Sequence, residues 1–292
     1  MITADRLGEV SDEIAAWIRE QVTAAKATNA VFGLSGGADS ALVAILCKKV
    51  FPKCVGVLMP CHSSQSSLDR AKELASQFDI ATVTVDLGKA FESVSAQVNP
   101  PEPSRNKMAG AALRSCLRAP TLDYVAKLHD ALIVGTGNRD EDEVTRYFQK
   151  RGDGSVDISP IAQLHKSEVY QLLRFLNAPK SIIDAIPTAD LWGPDSGQAD
   201  EVELGITYPE IEWAIQLDDA TGRAIFGGDP SGCHQLPLPR TSDDAAKLLN
   251  LTMRQQQVLL KLRAMEAASR HKACLPPVYK VRSALSKCFT RS

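Results

Sequence analysis

A chain of 292 residues with 44% hydrophobic content is long enough to bury the core of one large α/β domain. Its formal charge of -2, from 33 Lys and Arg against 35 Asp and Glu, argues against a bulk electrostatic grip on nucleic acid, which needs a net basic face. Seven cysteines without a C-x-x-C pair suggest neither a disulfide framework nor a cysteine zinc site, and no apolar run approaches the ~20 residues that span a bilayer.

Residues 1–6 lack the charged-then-apolar order of a signal peptide, so a cytoplasmic protein is expected. Leu7, Val10, Ile14, Trp17, Ile18 and Val22 recur at three- and four-residue steps and predict a first helix that packs on the sheet. The apolar run Val31-Phe32 then ends in a glycine turn, Gly33-Leu34-Ser35-Gly36-Gly37-Ala38-Asp39-Ser40, and helical spacing resumes to about Val50. Gly36 and Gly37 have no Cβ and accept φ > 0, so successive N–H groups can converge on an anion while the next helix N-terminus adds partial positive charge. The turn has neither the spacing and lysine of a Walker A loop nor the order G-x-G-x-x-G.

Val55 to Met59, closed by Pro60, predicts a second strand, Ser67 to about Phe78 a helix, and Ala81 to Val85 a third strand. This alternation implies right-handed crossovers in an open parallel sheet, with ligands beyond the carboxyl ends of the strands. Residues 99–107, with three prolines and no other apolar residue, read as a mobile surface segment, and 99–111 as a lid. Pro120 is expected to start a helix carrying Leu122, Val125 and Leu128, before a strand Ala131–Val134 that ends in Gly135-Thr136-Gly137-Asn138.

Gly152-Asp153-Gly154 reads as a turn, and Val169, Leu172, Leu173 and Leu176 as the stripe of a helix stopped by Asn177 and Pro179. Ser181 to Gly222 holds ten acids and no Lys or Arg, and is expected to be a solvated loop, with 189–207 mobile. Thr252-x-x-Gln255 opens a last helix bearing Val258, Leu259, Leu262 and Met265, followed by His271 and Lys272. Residues 261–292 carry eight Lys or Arg against one Glu, either a solvated tail or a local site for phosphates.

Asp39 directly follows the glycine turn, and Glu141 lies just past the end of a predicted strand. Two carboxylates at neighbouring strand ends suit Mg²⁺ shared with phosphate oxygens. Leu34 to Ser40 resembles the Ser-Gly-Gly-x-Asp-Ser loop of N-type ATP pyrophosphatases, which cleave ATP between the α and β phosphates. Taken with Val134 to Asn138, Gly152-Asp153-Gly154 with Asp157, Leu164-His165-Lys166, Ile186 to Leu191 and His271-Lys272, it resembles the ammonia-dependent NAD synthetases over most of residues 5–280.

That resemblance implies a single domain over residues 1–292 with a doubly wound open parallel sheet, helices on both faces and an adenine nucleotide alpha hydrolase-like arrangement. It implies a homodimer that adenylates the nicotinate carboxylate of deamido-NAD with ATP and lets ammonia displace AMP. Gly33, Leu34, Ser35, Gly36, Gly37, Ala38, Asp39 and Ser40 would hold ATP, with Thr136, Lys166 and Thr188. Asp39 and Lys166 would be catalytic, Asp39 and Glu141 would bind Mg²⁺, and Lys150, Asp157, His271 and Lys272 would contact deamido-NAD.

The chain departs from that pattern in three places. One extra residue between Thr136 and Gly152 leaves Asp142 or Glu143 as alternatives to Glu141. Cys116 stands where the family has a substrate-contacting arginine, so Arg114 or Arg118 is expected to reach into that space. Residues 218–250 are longer than the family's connection. The rival readings are a pyrophosphatase acting on a different small carboxylate, an RNA-modifying sulfurtransferase, and a catalytically silent nucleotide-binding protein.

Overall fold

The glycine turn is carried by β1 (Asn29–Gly33), which lies between two parallel neighbours, β2 (Val55–Leu58) and β4 (Ala131–Ile133). With β3 (Ala81–Thr84) the order is β3-β2-β1-β4, and Val31 pairs with Val55 on one side and Ile133 on the other. The structure is a computed structural model that describes residues 2–98, 103–192, 198–221, 225–226 and 251–273. Strands added on one side of β1 and then on the other make a topological switch point, so the turns after β1 and β4 open onto one crevice.

Alternation along β1 sends its side chains to two covered faces. Ala30, Phe32 and Leu34 meet α1 (Leu7–Ala24), α2 (Ala38–Val50), α3 (Gln65–Gln77) and α6 (Lys166–Phe175). Val31, with Val55 and Val57 of β2, meets Leu122, Val125 and Ala126 of α5 (Pro103–Leu128). Beyond the short α7 (Lys180–Ile183), a further cluster joins α8 (Asp200–Leu204), α9 (Tyr208–Ala220) and α10 (Met253–Ala273) to Val144. Among the described residues no helix is long and apolar enough to cross a membrane.

The strands, α2, α6 and α10 follow the sequence reading, and Thr252 and Gln255 cap α10 reciprocally, at 2.9 and 3.3 Å. Other expectations need correction. α1 rests mainly on α2 and α6 rather than on the sheet, and Trp17 is 39% exposed. α4 (Gly88–Gln97) forms where no helix was expected.

Residues 103–111 are helical rather than loop, because α5 runs unbroken through Pro120, whose missing N–H falls on an exposed turn. Burial of Ala111 and Ser115 before the proline and of Leu122 and Val125 after it keeps the two halves on one axis. Residues 99–102 lie outside the described residues.

The acidic stretch is not a solvated loop. Thr207 and Glu210 form a capping box, at 2.9 and 3.4 Å, that starts α9, which buries Tyr208, Ile211, Ala214 and Ile215. Its acids bond partners far along the chain: Glu210 pairs with Arg254 at 2.6 Å, Asp219 with Arg139 at 2.7 Å, and Glu212 accepts from Ser167 N at 2.9 Å. Within 189–207, residues 200–204 form α8. Of the expected insertion 218–250, residues 218–220 end α9 and 227–250 lie outside the described residues.

Candidate active site

Only Gly36 of the two turn glycines takes the left-handed conformation, at φ +84°, and a Cβ there would lie 2.1 Å from Ser67 O. Two serines brace the turn. Ser35 Oγ accepts from Gly37 N at 3.2 Å and sits 3.0 Å from Ser40 Oγ, which donates to Gly37 O at 3.0 Å. α2 starts at Ala38, so its first N–H groups, those of Ala38, Asp39 and Ser40, have no acceptor within the helix and lie beside the cleft.

Lys166 opens α6 and is 5% exposed. Its Nζ lies 2.5 Å from Asp39 Oδ2 and 3.0 Å from Glu141 Oε1. Asn138 completes the square, donating from Nδ2 to Asp39 Oδ1 at 3.0 Å and accepting Glu141 N at 3.1 Å. Glu141 belongs to a π-helical turn, Asp140–Thr145, that follows the β4 end.

Burial works against the charged form of Lys166, but the two carboxylates outweigh it and hold the ammonium well above its usual range. Burial also raises Asp39, with Glu141 adding to the rise and Lys166 opposing it. At Glu141 burial acts upward too, yet Lys166 and the Tyr208 hydroxyl overcome it, so this carboxyl titrates below normal.

A clamp behind Lys166 orients it. Asp140, fully buried, accepts Lys166 N at 2.7 Å and bonds His165 Nδ1 at 2.6 Å. Asp140, His165 and Glu212 bring possible metal-ligating atoms within 4.8 Å of one another. Those atoms are already engaged with the start of α6: Asp140 with Lys166 N and His165, Glu212 with Ser167 N at 2.9 Å and Ser167 Oγ at 2.8 Å.

The cleft above this group measures about 270 Å³. Gly33, Leu34, Ser35, Gly37, Ala38, Asp39, Ser40, Thr136, Glu141, Lys166 and Thr188 all line it, while Gly36 turns toward Ser67. Asp142 lines it as well, with its carboxyl pushed up to about 7 by burial and then by Glu141, Asp153 and Asp39. Glu143 does not line it, being paired with Arg139 at 2.6 Å. Three carboxylates, Asp39, Glu141 and Asp142, thus share a wall on which Lys166 bridges only two. A hard divalent cation fits such an oxygen-donor set.

Of the arginines flanking Cys116, Arg118 lines the cleft and makes no hydrogen bond or ion pair among the described residues. Burial lowers its pKa, with Asp153 the leading counterweight. Arg114 turns away, donating to Leu191 O at 2.8 Å and stacking 4.4 Å from the Phe91 ring centre. Cys116 is half-buried outside the lining.

Lys150, His271 and Lys272 do not line the cleft, and the first two meet each other. Lys150 Nζ donates to His271 O at 2.6 Å, and Lys272 Nζ to Arg146 O at 2.9 Å and Phe148 O at 2.6 Å. Phe148 does line the cleft, so Lys272 backs its wall. Asp157 lies outside, its Oδ2 accepting Ile133 N at 2.8 Å beside β4. The sequence reading passed over Asn138, Asp140 and Tyr208 as site residues, although Thr207-x-x-Glu210 is a helix-start signal that would have placed Tyr208 at the head of a helix.

A family model described as NAD synthase matches residues 10–224. The NH(3)-dependent NAD(+) synthetase of Carboxydothermus hydrogenoformans is 40% identical over 219 residues, covering 74% of this chain and 88% of that protein. That of Syntrophomonas wolfei is 33% identical over 266 residues, covering 90% of this chain and 92% of its own. The solved NMN synthetase from Francisella tularensis superposes with a TM-score of 0.73 at 27% identity, over 94% of this chain and 98% of its own. The NH3-dependent NAD synthetase from Campylobacter jejuni has the same fold, with a TM-score of 0.70 at 20% identity, over 94% and 99%.

Proposed function

The chain belongs to the NAD synthase family, and on that premise we propose how its residues carry out ATP-dependent amidation of deamido-NAD by ammonia. It is a ligase that forms a C–N bond, built on the adenine nucleotide alpha hydrolase-like fold. The observation that carries the site assignment is Lys166, bridging Asp39 beside the glycine turn to Glu141 beyond β4.

In this reading a nicotinate carboxylate oxygen bonds to the α-phosphorus of ATP, and the bond to pyrophosphate breaks. Ammonia then bonds to the acyl carbon, AMP leaves with the electron pair of the C–O bond, and the surplus proton passes to solvent. The N–H groups at the head of α2 and the Lys166 ammonium stabilise charge gathering on pyrophosphate. Thr136 and Thr188, which both line the cleft, keep their assignment to the nucleotide. Asp39 and Glu141 are assigned to hold Mg²⁺, which when bound supplies positive charge against the phosphate oxygens. Lys150, Asp157, His271 and Lys272 keep their assignment to deamido-NAD, with Lys272 behind the Phe148 wall.

Turnover with ATP, Mg²⁺, deamido-NAD and ammonia should release AMP and pyrophosphate in equal amounts. ADP as the main product would refute the assignment.

Arg118 is the guanidinium placed to meet an anionic substrate, replacing the arginine absent at Cys116. Losing a charge-assisted hydrogen bond costs about 1.5–3 kcal/mol, roughly one to two decades in affinity. Arg118→Ala should therefore raise the KM for the carboxylate substrate by about that factor, with kcat changed much less. An unchanged KM would remove Arg118 from the substrate contacts.

A second substrate is favoured by the match to an NMN synthetase together with Cys116 at the arginine position. The same assay run with the carboxylate precursor of NMN decides between them by the larger kcat/KM.

A homodimer and a cytoplasmic location complete the proposal. Tyr124 and Leu128, one turn apart on α5, are 68% and 66% exposed and suit a covered face. Solution scattering should give twice the 31.5 kDa chain mass, and a single-chain mass would contradict the dimer. Recovery in the membrane fraction would contradict the location.

A further inference from the structure

The phenol of Tyr208 stands where three separate segments meet. Its oxygen lies 2.7 Å from Glu141 Oε1 and 3.3 Å from Asp200 Oδ2, and its ring centre is 5.1 Å from Lys166 Nζ. The residue is 6% exposed, and its backbone N–H is held by Glu201 at 2.8 Å. A phenol has one proton, and the shorter contact assigns it to Glu141. Asp200 Oδ2 is the second oxygen within reach of the same hydroxyl, so one side chain links both carboxyl groups.

Asp200 also lines the cleft, where it holds the segment from Pro187 to Ala189. Its Oδ1 accepts Ala189 N at 2.9 Å and its own N–H donates to Pro187 O at 3.0 Å, which brackets Thr188. An unbroken path therefore runs from that segment through Asp200 and Tyr208 to Glu141 and Lys166. With the ring over Lys166 and the hydroxyl on Glu141, Tyr208 touches both members of that pair while lying outside the cleft lining.

We propose that Tyr208 is a positioning residue that ties the Pro187–Ala189 wall to the Lys166–Glu141 pair, so that the seat of one and the orientation of the other are set together. The inference rests on Lys166 and Glu141 being the working groups. Glu141→Gln therefore runs beside the test: if it retains wild-type kcat, that reading has failed, whereas its loss beside an active Tyr208→Phe defeats only the positioning role.

Tyr208→Phe keeps the ring and removes the hydroxyl, and should lower kcat by about tenfold to a hundredfold, the usual weight of a hydrogen bond to a charged group, with the KM for ATP within about threefold. Asp200→Ala should cause a similar loss. Asp200→Asn, which can still accept from Ala189 and donate to the phenol, should stay within about threefold of wild type. Because the two residues act through one path, the double variant Tyr208→Phe/Asp200→Ala should lose little beyond the worse single one. Losses that multiply, or a Tyr208→Phe enzyme within threefold of wild type, would overturn the proposal. Thermal melting accompanies each variant. Should Tyr208→Phe be unfolded at the assay temperature, the Asp200 pair decides: equal loss in Ala and Asn, or no loss in Ala, overturns it.

Discussion

Replacing Lys166 by methionine should lower kcat by about a thousandfold, the scale seen when a preorganised group facing developing charge is removed. Methionine fills similar space but supplies no charge, and Asp39 and Glu141, whose oxygens lie 2.5 and 3.0 Å from Nζ, would face each other without a counter-ion. Removing one member of a buried ion pair typically costs about 3–5 kcal/mol. The pH dependence has a definite sign. Without Lys166, repulsion and burial raise both carboxyl pKa values above their unfolded values. The folded variant then prefers them protonated, so its stability is greatest below the ordinary carboxylate range and falls as pH rises through the raised values. The melting deficit against wild type should therefore be larger at pH 8 than at pH 5. Activity within tenfold of wild type would show that Lys166 does not face the reacting phosphates.

Gly36→Ala should abolish tight ATP binding and lower the melting temperature, whereas Gly37→Ala should fold normally. At Gly36 the backbone has φ +84°, and the added methyl would meet Ser67 O at 2.1 Å, a backbone atom in the first turn of α3. A non-glycine residue in such a conformation costs about 1–3 kcal/mol before any clash, and each kcal/mol shifts melting by roughly 2–4 °C in a chain near this size. A drop of roughly 5 °C or more is expected, with ATP affinity falling at least about tenfold, because relief of the clash moves the turn off the head of α2. At Gly37 the nearest atom to a built Cβ is Ser35 Oγ at 3.4 Å, an ordinary contact, and φ is negative. Calorimetric titration and melting of both variants check this. Equal tolerance at the two glycines would mean that the turn is not held as described.

What the sequence by itself determined is the part of the protein whose causes are local. The buried run of β1, the freedom of Gly36, the head of α2 and the stripe of α6 are each set by residues within about ten positions of one another, so periodicity and turn chemistry reveal them. The order of the motifs identified the family, because a phosphate loop and its partner strand ends must recur in a fixed sequence along a doubly wound sheet.

Only the tertiary structure decided what depends on partners far apart in the chain. Lys166 reaches Asp39 across 127 positions, and Tyr208 reaches Glu141 across 67. No spacing rule marks such pairs. The acids of 200–219 read as solvated until Arg254, Arg139, Ser167 and Tyr208 arrive as their hydrogen-bonding partners. That Glu141 and Asp142 line the cleft while Glu143 pairs with Arg139, and that Arg118 lines it while Arg114 bonds Leu191 O, turns on which way one helical turn faces. That direction is set by the sheet and helices packed against it, because burial and hydrogen bonding across the fold outweigh the weak local preferences of a charged side chain.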